Sequence, residues 1–370
     1  MAATPRCLIL FGDGCLLNET TLESIDCPAL DQTAREGCTG QLALRKLPDG
    51  VTEAQRSLLE LEQILDLESN KESGGSSGQA QSREGRTFVS LNERFMGMSA
   101  SFFSSSQSVK ALASKAGFDS QLLTENQGGL DAGMLPDAAS FAEQSLTLLG
   151  LATASERSAG SNVFNELTGS ERGSGDPAKS QDLVFVHLRP DVSEDSNGAQ
   201  PSNRTDDAPS PSKSDQDLVE SAKASLVWLD ALVAAIRKLE SRDSRIAARL
   251  YLVLVLSYHA TAVTESGTSR ESEAEPKSDK VLESAGAPEG LLAFKPVQSY
   301  QQKEGQELTN IRESHHALVV YNSHGLTRRD AVQSLQASEI TTKSGNLTIL
   351  ADRFFHEVAF KVGRAPKYGA

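Results

Sequence analysis

The chain has 370 residues, and its 38% hydrophobic content rises to about 46% once glycine is counted, inside the globular range. That suffices for one large or two ordinary domains and excludes wholesale disorder. A formal charge of −14 excludes the basic stripe that phosphate backbones and anionic membranes select, so neither nucleic acid nor a membrane is an expected partner.

In chain order, "CLILF" (7–11) is the first apolar run of buried-strand length. The Gly12-Asp13-Gly14 that follows supports two readings of Asp13. It is a turn residue of the kind that Gly and Asp supply, or a ligand at the carboxyl end of a central strand, where open α/β sheets place their sites. "CPALDQTAREG" has helical periodicity and a stop at Gly37. "TEAQRSLLELEQILDLE" is the next helix, with Thr52 at its start. A Ser- and Gly-rich stretch over 68–86 lacks apolar periodicity and reads as a disordered loop.

"SVKALASKAGF" is helical and "DLVFVHL" a buried strand. A second loop covers 193–217 and leads into the long helix "DLVESAKASLVWLDALVAAIRKLES", whose apolar stripe is Leu226, Leu229, Leu232, Val233 and Ile236. "RLYLVLVLSY" is the most apolar segment, but it is strand-length, far short of the ~20 residues that span a bilayer. A third loop covers 265–290, and "HALVVY" is the last predicted strand. "LTRRD" reads as a helix start and "GRAPKYGA" as a basic extended tail with Arg364 and Lys367. Strands apolar on both faces that alternate with helices predict an α/β fold, a mostly parallel sheet with helices on both faces. A single domain over 1–370 is expected.

Cys7, Cys15, Cys27 and Cys38 lie near the N-terminus without C-x-x-C spacing, so they read as free thiols of a reducing compartment. Gly12 and Asp13 interrupt the first apolar run, which leaves no secretory signal. The first strand begins too soon after Met1 for a removable transit segment. An intracellular, cytoplasmic location is expected, and the sequons at Asn18, Asn203 and Asn346 read as chance matches.

"CPALDQTAREGCTGQLALRKLPDG", "MGMSASFFSSSQSVKALASKAGF", "QDLVFVHLRPDVSED", "SLVWLDALVAAIRKL", "LYLVLVLSYHATAV" and "SHHALVVY" occur in an order that resembles the cofactor-independent phosphoglycerate mutases, a family of the alkaline phosphatase superfamily. The C-terminal "DRFFHEVAFKVGRAPKYGA" is similar to the ending of plant proteins of this kind and adds no function. The resemblance implies an alkaline-phosphatase-like fold. It also implies two divalent ions, zinc or manganese, that polarise a phosphoryl group and activate a Ser or Thr nucleophile.

On this resemblance Asp13 stands at the first ligand position. The nucleophile follows the "LPDG" turn, where an ungapped match falls on Val51 and a one-residue slip on Thr52. Thr52 is therefore the candidate nucleophile, and equally the N-cap of the helix that follows. Asp191 keeps a ligand carboxylate, while Asp195 stands where the family has His. His259 is kept, but Tyr258 replaces its Asp partner, and a neutral phenol is a poor ligand at pH 7. The last ligand falls to His315 or His316, depending on gaps.

Three readings follow. The first is a degenerate, catalytically impaired family member that serves as a binding or scaffold protein, with a phosphorylated small molecule or a protein as partner. The second is a divergent metal-dependent phosphomonoester hydrolase that uses Thr52 with Asp13, Asp191, Asp195, His259 and His315. Hydrolysis is expected over mutase chemistry, because the loop at 68–86 is too short to be the family's inserted lid domain, and water would reach a phosphoryl-enzyme. The third is a haloacid-dehalogenase-like phosphatase with Asp13 as nucleophile, in which Cys15 occupies the position of the required second Asp.

Overall fold

The computed structural model describes residues 4–67, 88–123, 135–151, 180–190, 215–265, 302–303, 306–308, 310–326 and 330–367. The chain starts with β1 (Arg6–Leu16), α1 (Pro28–Glu36), β2 (Cys38–Ala43) and α2 (Glu53–Ile64). It continues with α3 (Leu91–Arg94), β3 (Ala100–Ser104), α4 (Gln107–Lys115), β4 (Asp119–Leu122), α5 (Ala138–Leu148) and β5 (Leu183–Leu188). Then come α6 (Asp215–Arg242), α7 (Ser244–Arg249), β6 (Leu250–Tyr258) and α8 (Ala260–Glu265). The short strands β7 (Gln302–Lys303) and β8 (Gln306–Glu307) pair with each other, and β9 (Ala317–Ser323), α9 (Ala337–Lys343), β10 (Thr348–Leu350) and α10 (Ala351–Lys361) complete the chain.

Eight strands form one sheet in the order β10-β2-β9-β6-β1-β5-β3-β4. β9 runs antiparallel to both of its neighbours, and every other pairing is parallel. The expected α/β class with a mostly parallel sheet is the observed one. β1 lies between β6 and β5, deep inside the sheet.

Alternation along each strand divides the apolar residues between two cores. Leu8, Leu10, Val184, Val186, Leu252 and Leu254 face one side, where the Leu226–Ile236 stripe of α6 covers them together with α1 and α5. Ile9, Phe11, Phe185, Val253 and Val255 face the other side, under α2, α4 and α10. A sheet apolar on both faces requires such a double cover, which is why these strands read as near-continuous hydrophobic runs.

Two boundaries differ from the sequence reading. β1 does not end at Phe11: its register against β6 shifts after Gly12 and resumes where Leu16 pairs with Tyr258. Gly14 takes φ +71° inside this bulge, a conformation that glycine adopts without strain. The loop expected over 193–217 is already helical at its end, since α6 begins at Asp215, and Glu265 closes α8. The loop at 68–86, residues 193–214 and residues 266–290 lie outside the described residues. No helix among the described residues is long and apolar enough to cross a membrane. The basic tail is tied back at Arg364, whose Nη2 donates to Asp182 at 2.9 Å.

The two-sided core predicts a sharp contrast on α6. Leu229→Ala, at a fully buried position, lowers unfolding stability by about 2–5 kcal/mol. Val227→Ala, at a site 52% exposed, changes it by less than about 0.5 kcal/mol. Urea denaturation of the two variants measures both.

Candidate functional site

At the carboxyl end of the parallel strands, on the α2 side, the apolar alternation stops and a polar residue takes its place. Ser257 follows Val255 on β6, Asp13 follows Phe11 on β1, His187 follows Phe185 on β5, and Ser104 follows Phe102 on β3. These four strands are adjacent in the order β6-β1-β5-β3, so the side chains form a row across the sheet. All four are fully buried. The row is hydrogen-bonded from end to end. Ser257 Oγ donates to Asp13 Oδ1 at 2.9 Å, His187 Nε2 lies 2.9 Å from Asp13 Oδ2, and Ser104 Oγ lies 3.0 Å from His187 Nδ1.

α2 lies over this row and contributes charge. Glu53, Arg56, Ser57 and Glu60 are spaced i, i+3, i+4, i+7, so they share the helix face turned to the sheet, and all are buried. Arg56 is wholly enclosed. Its Nη2 donates to Asp13 Oδ1 at 2.6 Å and to Glu53 Oε1. Its Nε meets both Glu53 oxygens, at 3.0 and 2.9 Å. Its Nη1 donates to Glu60 Oε2 at 2.5 Å and Ser257 Oγ at 3.2 Å. A guanidinium has five N–H donors, and each has a partner here. Asp13 is equally saturated: Arg56 and Ser257 on Oδ1, and Ser57 and His187 on Oδ2, fill the roughly four acceptor positions of a carboxylate.

Burial alone would push the Asp13 pKa up, but Arg56, His187 and Ser57 together hold it well below the usual carboxylate range. Burial likewise works against the Arg56 charge, and Asp13, Glu60 and Glu53 more than offset it. An ionised Asp13 requires the proton of His187 on Nε2. In the neutral ring Nδ1 is then the acceptor, and Ser104 Oγ donates to it while accepting from Ser106 N at 2.9 Å. Gly14 permits this crowding, since a Cβ there would lie 2.5 Å from Glu53 Oε1 and 3.0 Å from Arg56 Nη2.

The network extends to either side through the carboxylates. Glu53 Oε2 accepts from Ala260 N at 2.8 Å and lies 3.4 Å from His259 Nε2. Glu60 Oε1 accepts from Arg312 Nη2 at 2.5 Å. Three buried carboxylates thus face two guanidiniums.

The residues expected from sequence are distributed as follows. Asp13 is the centre of the network, and His259 reaches it through Glu53. Thr52 is the exposed N-cap of α2 in a capping box: its Oγ1 accepts from Gln55 N at 3.3 Å, and Gln55 Oε1 accepts from Thr52 N at 3.1 Å. His315 takes φ +56° and turns to Glu19 at 3.8 Å and to the Tyr258 ring at 4.7 Å. Tyr258 belongs to the α6-side core, and Ser257 is the β6 residue that reaches Asp13. Asp191 and Asp195 lie outside the described residues.

Among the described residues, the donor set does not fit the two divalent ions that the resemblance implies. The Asp13 acceptor positions are filled, with a fixed cation 2.6 Å from Oδ1. No group of three or more His, Cys, Asp or Glu among the described residues is arranged to hold a metal ion. Sequence reasoning missed Glu53, Arg56, Ser57, Glu60, Ser104, His187 and Ser257. Two signals for them exist: the E-x-x-R-S-x-x-E spacing on α2, and the polar residue that closes each of four apolar strand runs.

Two predictions follow from this geometry. Arg56→Met strands buried carboxylates and destabilises the fold by about 3–5 kcal/mol. Adding Asp13→Leu recovers part of that loss, by a coupling of about 0.5–3 kcal/mol in a double-mutant cycle; strict additivity would contradict the pairing. The second concerns pH. Burial, Arg312 and His315 hold His316 down at a pKa of about 4, against 6.5 for the free side chain. Because the folded value is the lower one, its contribution is complete above pH 6.5 and is lost as pH falls toward 4, by up to about 3 kcal/mol. Urea titrations between pH 7 and 4.5 should show this slope, reduced in His316→Phe.

No protein-family model matches the sequence, and no curated protein matches it. Solved structures do match. A protein from Pyrococcus horikoshii is 12% identical and aligns over 100% of both chains with a TM-score of 0.51. The lipoteichoic acid synthase LtaP of Listeria monocytogenes is 11% identical over 99% of this chain and 74% of its own, with a TM-score of 0.44. A protein in the alkaline phosphatase superfamily from Vibrio parahaemolyticus is 13% identical over 68% of this chain and 54% of its own, with a TM-score of 0.35. At such identities the likeness is one of fold. The mostly parallel eight-stranded sheet between two helical layers is matched end to end by the Pyrococcus protein.

Proposed function

We propose that the chain is a single alkaline-phosphatase-like domain that is impaired in phosphoryl transfer and acts as a binding or scaffold protein. The observation that carries this reading is the Arg56 guanidinium at Asp13. It neutralises the strand-end carboxylate as a divalent ion would, but it has no exchangeable coordination position. A metal ion polarises a phosphoryl oxygen or lowers the pKa of bound water through such a position. A guanidinium whose five N–H groups are all engaged can do neither.

The other candidate nucleophiles support the same reading. Thr52 Oγ1 is engaged in capping α2. Ser104, His187 and Asp13 are linked in the order of a Ser-His-Asp triad, but all three are fully buried. Ser104 Oγ already holds a backbone N–H. A triad serine acts at a surface that a substrate carbonyl or phosphoryl group can reach, beside donors for the developing charge.

The test uses the full chain. After incubation with zinc or manganese and dialysis, elemental analysis should find no stoichiometric metal. Chelation should leave the melting temperature unchanged, and p-nitrophenyl phosphate should turn over no faster than in buffer. Two retained ions per chain, or a phosphatase activity abolished by Asp13→Asn, would overturn this reading. Either result would favour the hydrolase built on Thr52, Asp13, Asp191, Asp195, His259 and His315.

A further inference from the structure

The helix α6 is apolar on two faces. Its core stripe, Leu226, Leu229, Leu232, Val233 and Ile236, is fully buried. On the opposite face Ala224, Val227, Ala231 and Ala234 are all exposed, Val227 at 52%. A helix on the surface of a single domain ordinarily carries charged and polar residues there, and a helix that is apolar all round is a buried one. Helix propensity explains alanine at these positions but not valine, a poorer helix former.

The exposed residues are spaced alternately by three and four. The same spacing reaches Glu220 at one end and Lys238 at the other, both exposed. Ala224, Ala231 and Lys238 thus hold one seam position of a heptad, a, while Glu220, Val227 and Ala234 hold the other, d. The seam is about 27 Å long at 1.5 Å per residue, and it is ordered symmetrically about the level of Leu229. Set against its own reverse, it places Glu220 opposite Lys238, Ala224 opposite Ala234 and Val227 opposite Ala231. Each a position then meets a d position, acid meets base, and apolar meets apolar. A parallel pairing would instead set Glu220 on Glu220 and Lys238 on Lys238. Within its own chain Glu220 has Lys223 at 3.4 Å, which occupies one of the roughly four acceptor positions of a carboxylate.

We infer that two copies of this chain pair through α6, antiparallel, about a two-fold axis level with Leu229. A closed two-fold dimer uses the same patch on both subunits, and this patch is complementary to itself when reversed. Small side chains along the seam let the helix axes approach to about 8 Å, the near end of the range for packed helices. The contact between Glu220 and Lys238 of the second copy is made twice. A single helix pair lies at the small end of specific interfaces, so the dimer is weak, with a Kd of about 10–100 μM, and dilute protein is monomeric. This inference does not rest on the loss of phosphoryl transfer, because sedimentation tests the one and metal content the other.

Sedimentation velocity of the full chain in low salt, from about 1 to 200 μM, should show a monomer–dimer equilibrium. Val227→Glu sets two carboxylates about 6 Å apart along the seam and should abolish the dimer. Glu220→Lys and Lys238→Glu should each weaken it at least about fivefold, because each creates two like-charge contacts, whereas the double exchange should restore the original Kd to within about twofold. Cross-linking reads the direction. Ala224→Cys mixed with Ala234→Cys should form a disulfide-linked dimer under mild oxidation. Neither variant should do so alone, since identical positions lie about 15 Å apart in the antiparallel pair. Cys7, Cys15, Cys27 and Cys38 are buried and give no background. A chain that stays monomeric throughout the range, a dimer that survives Val227→Glu, a weakening that the double exchange does not repair, or cross-linking by Ala224→Cys alone would overturn the inference. Circular dichroism of each variant ensures that a lost dimer is read from folded protein.

Discussion

The ion pair between Asp13 and Arg56 constrains everything around it. Moving two charges from water into a protein interior carries a penalty of several kcal/mol per ion, and their mutual attraction repays it only if the remaining donors and acceptors also find partners. Here they do: Arg56 spends all of its N–H groups, and Asp13 accepts on both oxygens from four side chains. The pair therefore dictates its neighbours. Glu53 and Glu60 must flank the guanidinium one turn on either side, Ser257 must stand at the end of β6, and residue 14 must lack a side chain. A buried pair is weak evidence of net stability, but a fully satisfied one fixes geometry. α2 can dock on β1 in only one register without stranding a charge.

On the proposed reading, the same constraint separates this site from a phosphate-handling one. An open α/β sheet gathers its site at the carboxyl ends of central strands, and Asp13 is placed there. A working metal centre keeps at least one coordination position for water or substrate. The guanidinium offers none; Thr52 caps a helix, and Ser104 links His187 to the start of α4. A carboxylate and an imidazole stand on adjacent strands, with the charge balance supplied by the chain itself.

Much of the fold was legible in the sequence, because burial on both faces leaves a dense apolar run that local composition reveals. "CLILF", "DLVFVHL", "RLYLVLVLSY" and "HALVVY" all became strands of one sheet, and the stripe of α6 faces it as the 3.6-residue period requires. β2, "CTGQLA", escaped notice because Thr, Gly and Gln dilute its apolar signal; its burial comes from pairing between β9 and β10. The antiparallel direction of β9 was not legible either, since strand direction depends on connections through long polar segments. Within the site the position of Asp13 was readable and its partner was not. A charged triplet Glu53-Arg56-Glu60 at helical spacing ordinarily marks a solvated face with i,i+3 and i,i+4 ion pairs. Only the sheet beneath reveals that this face points inward, toward the strand-end carboxylate of Asp13. Ser57 and Ser257 were invisible for a related reason: a lone serine carries no sign of its partner in its local sequence.

The network also decides where the protein can respond to its surroundings. Asp13 is held ionised far below neutrality, and Arg56 stays protonated above the ordinary range for arginine. Their charges are therefore constant across the physiological range. His315 and His316 stand at the edge of the network, and burial lowers both pKa values. Arg312, which donates to Glu60 inside, also disfavours the charge of each histidine outside. Protonating either ring places a new cation beside Arg312, the guanidinium that closes the far side of the charge cluster. Acid thus acts on the perimeter first, while the pair at the centre keeps its form.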